Sequence, residues 1–240
     1  MRAVKSVVTG ASSGIGRELA RILCRDEKST VLGVGRTAER LARLREELGD
    51  CFIPVQADLS KTSGVRVVVD AARRYLGEVD LLVNNAGAGL YKRVIEHSEE
   101  ELVSLVNTNF ITPVLLTKEL LDYMKSGSVV VFVITAGVYV LMESLPIYGA
   151  AKAALHYAVK ALRRELGERG IHVLAVYPGL VKTEFHERAG YRVERGLDPR
   201  RVALEIIRGV ERRRSELYIP GYLSLAKLLA PVLPGFRVPR

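Results

Sequence analysis

Seven apolar runs recur along the chain, and most lack polar alternation. They cover Ala3–Thr9, Thr30–Val34, Phe52–Gln56, Leu81–Asn84, Ser128–Ile134, His172–Tyr177 and Glu216–Ile219. Strands of this kind are buried on both faces, as in a parallel sheet covered by helices. Between them the apolar positions switch to helical spacing. Ile15, Leu19, Ile22 and Leu23 mark one face; Leu41, Leu44 and Leu48 a second; Val65, Val69, Ala72 and Leu76 a third. Asp198 followed by Pro199 reads as an N-cap and first-turn proline ahead of Val202, Ile206 and Val210. Strands alternating with helices predict right-handed crossovers and an α/β, doubly wound, mainly parallel seven-stranded sheet with helices on both faces. No repeat or linker divides the pattern, so one domain is expected over residues 1–240.

Composition adds modest limits. The hydrophobic fraction is 48% and the charged fraction 26%, as in ordinary globular proteins. No apolar run reaches the ~18–20 residues of a membrane span. Met1 leads almost directly into the first strand, so a cytoplasmic location is expected. The net charge of +9 is spread along the chain, and its tightest cluster, Arg212-Arg213-Arg214, ends a predicted helix, where cations suit the dipole. Nucleic acid is therefore not the expected partner. Cys24 and Cys51 stand far apart in no metal-like spacing and read as two buried thiols. His97, His156, His172 and His186 share no metal-ligand spacing either, and no metal is expected. The chain has 26 Arg, 10 Lys and only five side-chain amides: Gln56, Asn84, Asn85, Asn107 and Asn109. Few amides and many arginines suggest a thermophilic source.

The chemistry starts at the end of the first strand. Thr9-Gly10-Ala11-Ser12-Ser13-Gly14-Ile15-Gly16 runs from a strand straight into a helix. Glycines let backbone approach a ligand closely, and the helix N-terminus offers free N–H groups to a pyrophosphate. Farther on, Tyr148 and Lys152 lie four apart on a predicted helix and so share a face. A cation near a tyrosine favours the phenolate, which equips the pair for proton transfer near neutrality.

The glycine spacing resembles the short-chain dehydrogenase/reductase family, whose Thr-Gly-x-x-x-Gly-x-Gly pattern it matches. The resemblance continues through Asn84-Asn85-Ala86-Gly87, through the Tyr-x-x-x-Lys at Tyr148–Lys152, and through Pro178-Gly179 with Val181 and Thr183, reaching about Pro220. It implies a Rossmann-like fold, an NAD(P)-dependent oxidoreductase acting on a carbonyl or alcohol, and Tyr148 as general acid/base. A dinucleotide-binding sensor without turnover is the rival reading, although such a protein would be expected to lose Tyr148 or Lys152. An epimerase of this type would need a larger substrate domain.

By the same resemblance Gly10, Ser12, Ser13, Gly14, Ile15 and Gly16 cradle the cofactor, Asp58 and Leu59 meet the adenine, and Asn85, Ala86 and Gly87 line the adenosine ribose side. Pro178, Gly179, Val181 and Thr183 serve the nicotinamide end. Gly35 stands where NAD-preferring members carry Asp, while Arg36 and Thr37 follow, so NADP is expected ahead of NAD. The family's catalytic Ser is replaced by Thr135, which keeps the hydroxyl and adds a methyl; Ser144 is the weaker substitute. Asn109 matches the family's helix Asn that supports a proton relay to the lysine, whereas Asn107 fits an exposed helix position. Leu90, Tyr91, Tyr139, Leu141, Met142, Leu180, Phe185 and Tyr191 follow strand ends and are expected near a hydrophobic substrate. Residues at about 184–197 read as a lid. A tail at about 221–240, with Leu223, Val232 and Leu233, reads as cover for the pocket mouth or a subunit contact, with a membrane-surface helix as the alternative. Helices near Glu99–Lys125 and Tyr148–Arg169 would, by resemblance, form a homodimer or homotetramer.

Overall fold

A computed structural model describes residues 4–25, 29–191 and 194–229. Seven strands form one sheet: β1 (Lys5–Thr9), β2 (Thr30–Gly35), β3 (Phe52–Gln56), β4 (Leu81–Asn84), β5 (Val129–Val133), β6 (His172–Pro178) and β7 (Glu216–Ile219). Their spatial order is β3-β2-β1-β4-β5-β6-β7 and every pairing is parallel. The expected doubly wound sheet is present, and its strand limits fall within a residue or two of the apolar runs.

Successive strand residues feed opposite faces, so Val7 and Val8 enter different cores. One face is covered by α3 (Ser63–Tyr75), α5 (Thr112–Leu120) and α6 (Pro146–Gly167), through Val65, Val68, Leu116, Leu155 and Val159. The other is covered by α1 (Gly14–Leu23), α2 (Ala38–Leu48) and α8 (Pro199–Glu211), through Leu19, Leu41, Leu44, Val202 and Ile206. Asp198 caps α8 as expected, its Oδ1 accepting from Arg200 N at 2.7 Å, with Pro199 in the first turn. Three short or broken helices complete the set: α4 (Glu99–Val106), α7 (Glu184–Arg188) and α9 (Ala226–Leu229). Among the described residues no helix is long and apolar enough to cross a membrane.

The two cysteines are not thiols. Cys24 at the C-cap of α1 and Cys51 just before β3 form a disulfide, with Cα atoms 5.6 Å apart. The α1–β2–α2 crossover returns the chain to the same face, and both sulfurs join the core beneath α1 and α2. A 27-residue separation carries no such message by itself.

The strand order reverses between β1 and β4, and there the strand ends are tied rather than splayed. Thr9 Oγ1 accepts from Asn85 N at 2.9 Å and Ala86 N at 3.0 Å and donates to Val83 O at 3.2 Å. Asn85 Nδ2 donates to Thr9 O at 2.8 Å. The crevice outside such a reversal is where open α/β sheets bind ligands.

Candidate active site

A cavity of about 800 Å³ opens over the carboxyl ends of the strands at this reversal. Its floor at one end is the turn from β1 to α1, with Gly10, Ser12, Ser13, Gly14 and Ile15 in its wall. Gly10 and Gly14 have φ of 69° and 54°, which side chains resist. Gly16 stands just behind the wall, where a Cβ would run into Gly10 O and Asn85 Nδ2. Ser13, the N-cap of α1, does not use its side chain to cap the helix. The first N–H groups of α1 thus face the cavity without a protein partner.

Beyond the glycine loop the wall passes to Arg36 and Thr37 after β2, and to Asp58 and Leu59 after β3. Ser12 explains why β2 ends in glycine: a Cβ on Gly35 would lie 3.0 Å from Ser12 Oγ. Thr37 is the N-cap of α2 yet its hydroxyl caps nothing. Burial pushes the Asp58 carboxyl up, but hydrogen bonds from Ser60 N and Oγ and the nearby Arg36 charge outweigh it, so it stays below its usual range. Asn85, Ala86 and Gly87 supply the wall above β4.

At the far end lie Thr135, Tyr148 and Lys152, with Pro178, Gly179, Val181 and Thr183 beside them. Leu145 and Pro146 start α6, so Tyr148 falls in its first turn and Lys152 one turn on. Lys152 Nζ lies 5.9 Å from the Tyr148 ring centre and donates to Val133 O at 2.8 Å. Thr135 caps the 3₁₀ turn Ala136–Tyr139 by accepting from Gly137 N at 3.1 Å, and its hydroxyl is also a partner of the Tyr148 phenol. Burial lifts the Tyr148 phenol above its usual range, against the pull of Thr135. Burial also lowers the Lys152 ammonium to about 7. Without cofactor, burial therefore outweighs the phenolate-favouring influence of Lys152 that the four-residue spacing suggests, and Tyr148 holds its proton.

Asn109 sits behind this wall in a π-helical turn, Asn107–Ile111, between α4 and α5. Its Nδ2 donates to Ala88 O at 2.7 Å and Leu105 O at 2.9 Å, while its Oδ1 accepts from Ala88 N at 3.3 Å. Those bonds brace the cavity segment at Ala88. Asn107, expected at the surface, is half-buried and donates to Ser60 O at 2.9 Å. It braces the loop after β3 in the same way.

The substrate side differs more from expectation. Met142, Leu180 and Phe185 line the cavity, together with Val140, Leu145, His186, Leu223 and Ala226. Leu90, Tyr91, Tyr139, Leu141, Tyr191 and Ser144 do not. The Tyr139 hydroxyl meets that of Tyr218 at 2.8 Å, inside an aromatic cluster with Tyr177 and His156. Tyr91 bonds His186 Nδ1 at 3.0 Å and packs on Tyr191. Burial holds His186 below its ordinary pKa, hence neutral near pH 7. Of the tail, Leu223 and Ala226 line the cavity, while Val232 and Leu233 lie outside the described residues. Two cavity cations went unforeseen. Arg40, in the first turn of α2 beside Glu39, carries a charge that opposes the helix dipole, which is legible in the sequence. Arg188, on α7, left no comparable sign.

The profile of the short chain dehydrogenase family matches residues 5–192, and the chain belongs to this family of oxidoreductases. Dehydrogenase/reductase SDR family member 7B of Xenopus laevis is 32% identical over 261 residues, spanning 98% of this chain and 79% of that one. A short-chain dehydrogenase from Streptomyces avermitilis superposes with a TM-score of 0.84 at 29% identity, covering 96% of this chain and 93% of its own. A short-chain dehydrogenase from Sphingobium yanoikuyae in complex with NADPH does so with a TM-score of 0.82 at 25% identity, covering 99% and 98%.

Proposed function

We propose that the chain transfers a hydride between NADP(H) and an apolar carbonyl or alcohol, with Tyr148 as general acid/base. The carrying observation is convergence: Tyr148, Lys152 and Thr135 open into the same cavity as the glycine loop. When bound there, the nicotinamide supplies or accepts the hydride. Thr135 and Tyr148 hold the substrate oxygen from two sides, and Tyr148 delivers the proton in reduction. Lys152, whose Nζ donates to Val133 O, would hydrogen-bond the nicotinamide ribose and act on Tyr148 electrostatically. Asn109 keeps the Ala88 segment in place and is part of the relay only through that position.

NADP is favoured over NAD by the wall after β2. It offers Arg36, Arg40 and the unengaged Thr37 hydroxyl, and Gly35 leaves no carboxylate to repel a 2′-phosphate. The substrate wall of Val140, Met142, Leu145, Phe185 and Leu223 suits an uncharged, apolar molecule.

The test is a spectrophotometric screen of NADPH oxidation against aldehydes, ketones and quinones. Turnover is expected, with Tyr148→Phe lowering it by roughly 10²–10⁴-fold while NADPH binding persists. Silence across a broad panel with tight NADPH binding would instead assign a non-catalytic dinucleotide sensor.

The exposed Val103, Ile111 and Tyr157 on α4, the π-turn and α6 support a homodimer or homotetramer, to be checked by light scattering. The scarcity of amides supports a thermophilic source, and in a cytoplasmic protein the disulfide would add to that reading, since thermophiles are where stable cytosolic disulfides occur. Thermal unfolding below about 60 °C would contradict that source.

A further inference from the structure

The lid helix α7 spans the cavity. Phe185, near its start, packs against the Tyr148 ring with centroids 5.2 Å apart. Arg188, three residues on, reaches the opposite end, where its Nη2 donates to Ser13 Oγ at 3.2 Å. That bond is to a neutral hydroxyl on the glycine loop. Among the described residues no carboxylate lies within ion-pair distance of Arg188. Glu184, the acid on the same helix, faces Arg17 of α1 instead, at 3.7 Å.

The guanidinium does not stand alone. Arg36, after β2, and Arg40, in the first turn of α2, line the same cavity, and their charges act against that of Arg188. Two carboxylates act on this group: Asp58, near Arg36, is engaged by Ser60, and Glu184 faces Arg17. Three like charges converging on one cavity wall repel one another unless an anion lies between them. Burial and that repulsion both lower the Arg188 pKa, whereas Glu184 opposes them. A dianionic phosphate monoester is the anion that three guanidinium groups suit best, because each offers a planar fork of donors.

We propose that Arg188 is a lid-borne ligand of the cofactor's 2′-phosphate, completing with Arg36 and Arg40 a three-guanidinium site. The proposal rests on the NADP reading above and adds a residue from a part of the chain outside the dinucleotide motifs. It makes α7 a strut with one end on the 2′-phosphate and the other on Tyr148. The cofactor that carries the extra phosphate then also fixes the lid residue that walls the reacting centre.

The full chain is titrated with NADPH and with NADH, followed by nicotinamide fluorescence, for the wild type, Arg188→Gln and Arg188→Lys. Wild type is expected to prefer NADPH. Arg188→Gln should weaken NADPH by about tenfold or more, the worth of a charge-assisted hydrogen bond, and NADH by less than about twofold. Arg188→Lys should restore part of the difference, and added salt should erode the preference of the wild type more than that of Arg188→Gln. A wild type that binds both cofactors equally overturns the NADP reading and the proposal with it. A wild type that prefers NADPH, with the same ratio kept in Arg188→Gln, overturns the proposal alone. Equal weakening of both cofactors assigns Arg188 to the pyrophosphate and overturns its 2′-phosphate role. Because Arg188 makes one hydrogen bond, to a neutral hydroxyl, its variants should fold, and unchanged thermal midpoints will establish that.

Discussion

A Cβ at Gly16 would strike the carbonyl of Gly10 and the amide of Asn85, whereas a Cβ at Gly137 would strike the thioether of Met142. At the phosphate end the tightest approaches, at Gly16 and Gly64, are to backbone carbonyls, while Gly14 and Gly35 meet the short side chains of Thr183 and Ser12. Gly10 faces Ala86, and Gly64 behind Asp58 faces the Asp58 carbonyl. The substrate end is made of side chains: Gly89 meets Phe185 and Leu145, and Gly179 meets Leu223. Backbone cannot yield without moving a strand, while the tip of a methionine or leucine can turn. One end is therefore fixed for one ligand, and the other is open to change in shape.

The sharpest test of that contrast pairs two equal substitutions. Gly16→Ala should weaken dinucleotide binding by about 100-fold or more, a loss near 3 kcal/mol, and lower the unfolding midpoint. Gly137→Ala should leave dinucleotide affinity within about threefold and alter substrate KM, because Met142 can move aside. Equal losses from the two would break the comparison. Isothermal titration with NADPH and melting curves measure both.

The two ends are also anchored differently. The Cys24–Cys51 bond staples the far end of α1, the helix whose first turn forms the phosphate end, to the start of β3, at the amino ends of the strands and away from the cavity. Reduction, or Cys24→Ser with Cys51→Ser, should cost roughly 2–4 kcal/mol and lower the midpoint by about 5–10 °C. A melt that reductant leaves unmoved would show that the staple is idle. Over the substrate end, α9 is held by an exposed pair, Lys227 Nζ to Glu216 Oε2 at 3.0 Å. Lys227→Met should change stability by less than about 1 kcal/mol.

Between these in size stands Lys152, buried with its pKa lowered to about 7 from 10.5. Folding therefore disfavours its charged form. The penalty is full below about pH 7, declines as pH rises from 7 to 10.5, and vanishes above that. Lys152→Met should be more stable than wild type at pH 6, by about 1–3 kcal/mol once the unpaired Val133 carbonyl is counted. That advantage should shrink by pH 9. Denaturant titrations of cofactor-free protein at both pH values decide it, and a pH-independent difference would contradict the buried-charge account.

Legibility in the sequence follows the same division. Where backbone packs on backbone, only certain residue types fit, so Gly10, Gly14, Gly16, Asn85 and Thr9 appear as a readable pattern. Strand limits were readable because strands buried on both faces need unbroken apolar runs. The substrate wall was not, since any apolar residue of suitable size serves. Tyr139 and Tyr91 follow strand ends as Met142 does, yet their hydroxyls turn to Tyr218 and His186. The disulfide depended on two crossovers bringing Cys24 under Cys51, a register that neither residue announces. Arg188 depends on the lid's path, and the π-turn at Asn107–Ile111 has no apolar period to betray it.

The side-chain amides have a consequence of another kind. Asn85 holds Thr9 O, Asn107 holds Ser60 O, Asn109 holds Ala88 O, and Gln56 holds Arg36 O, each on or next to the cavity wall; Asn84 grips Thr117 behind them. Hydrolysis of an amide to a carboxylate turns a donor into an acceptor, and each of these carbonyls would then face a repelling oxygen. With no side-chain amide elsewhere, slow chemical ageing of this chain has nowhere harmless to begin. It would strike the site first, so an old preparation would lose its cofactor while its sheet still stood.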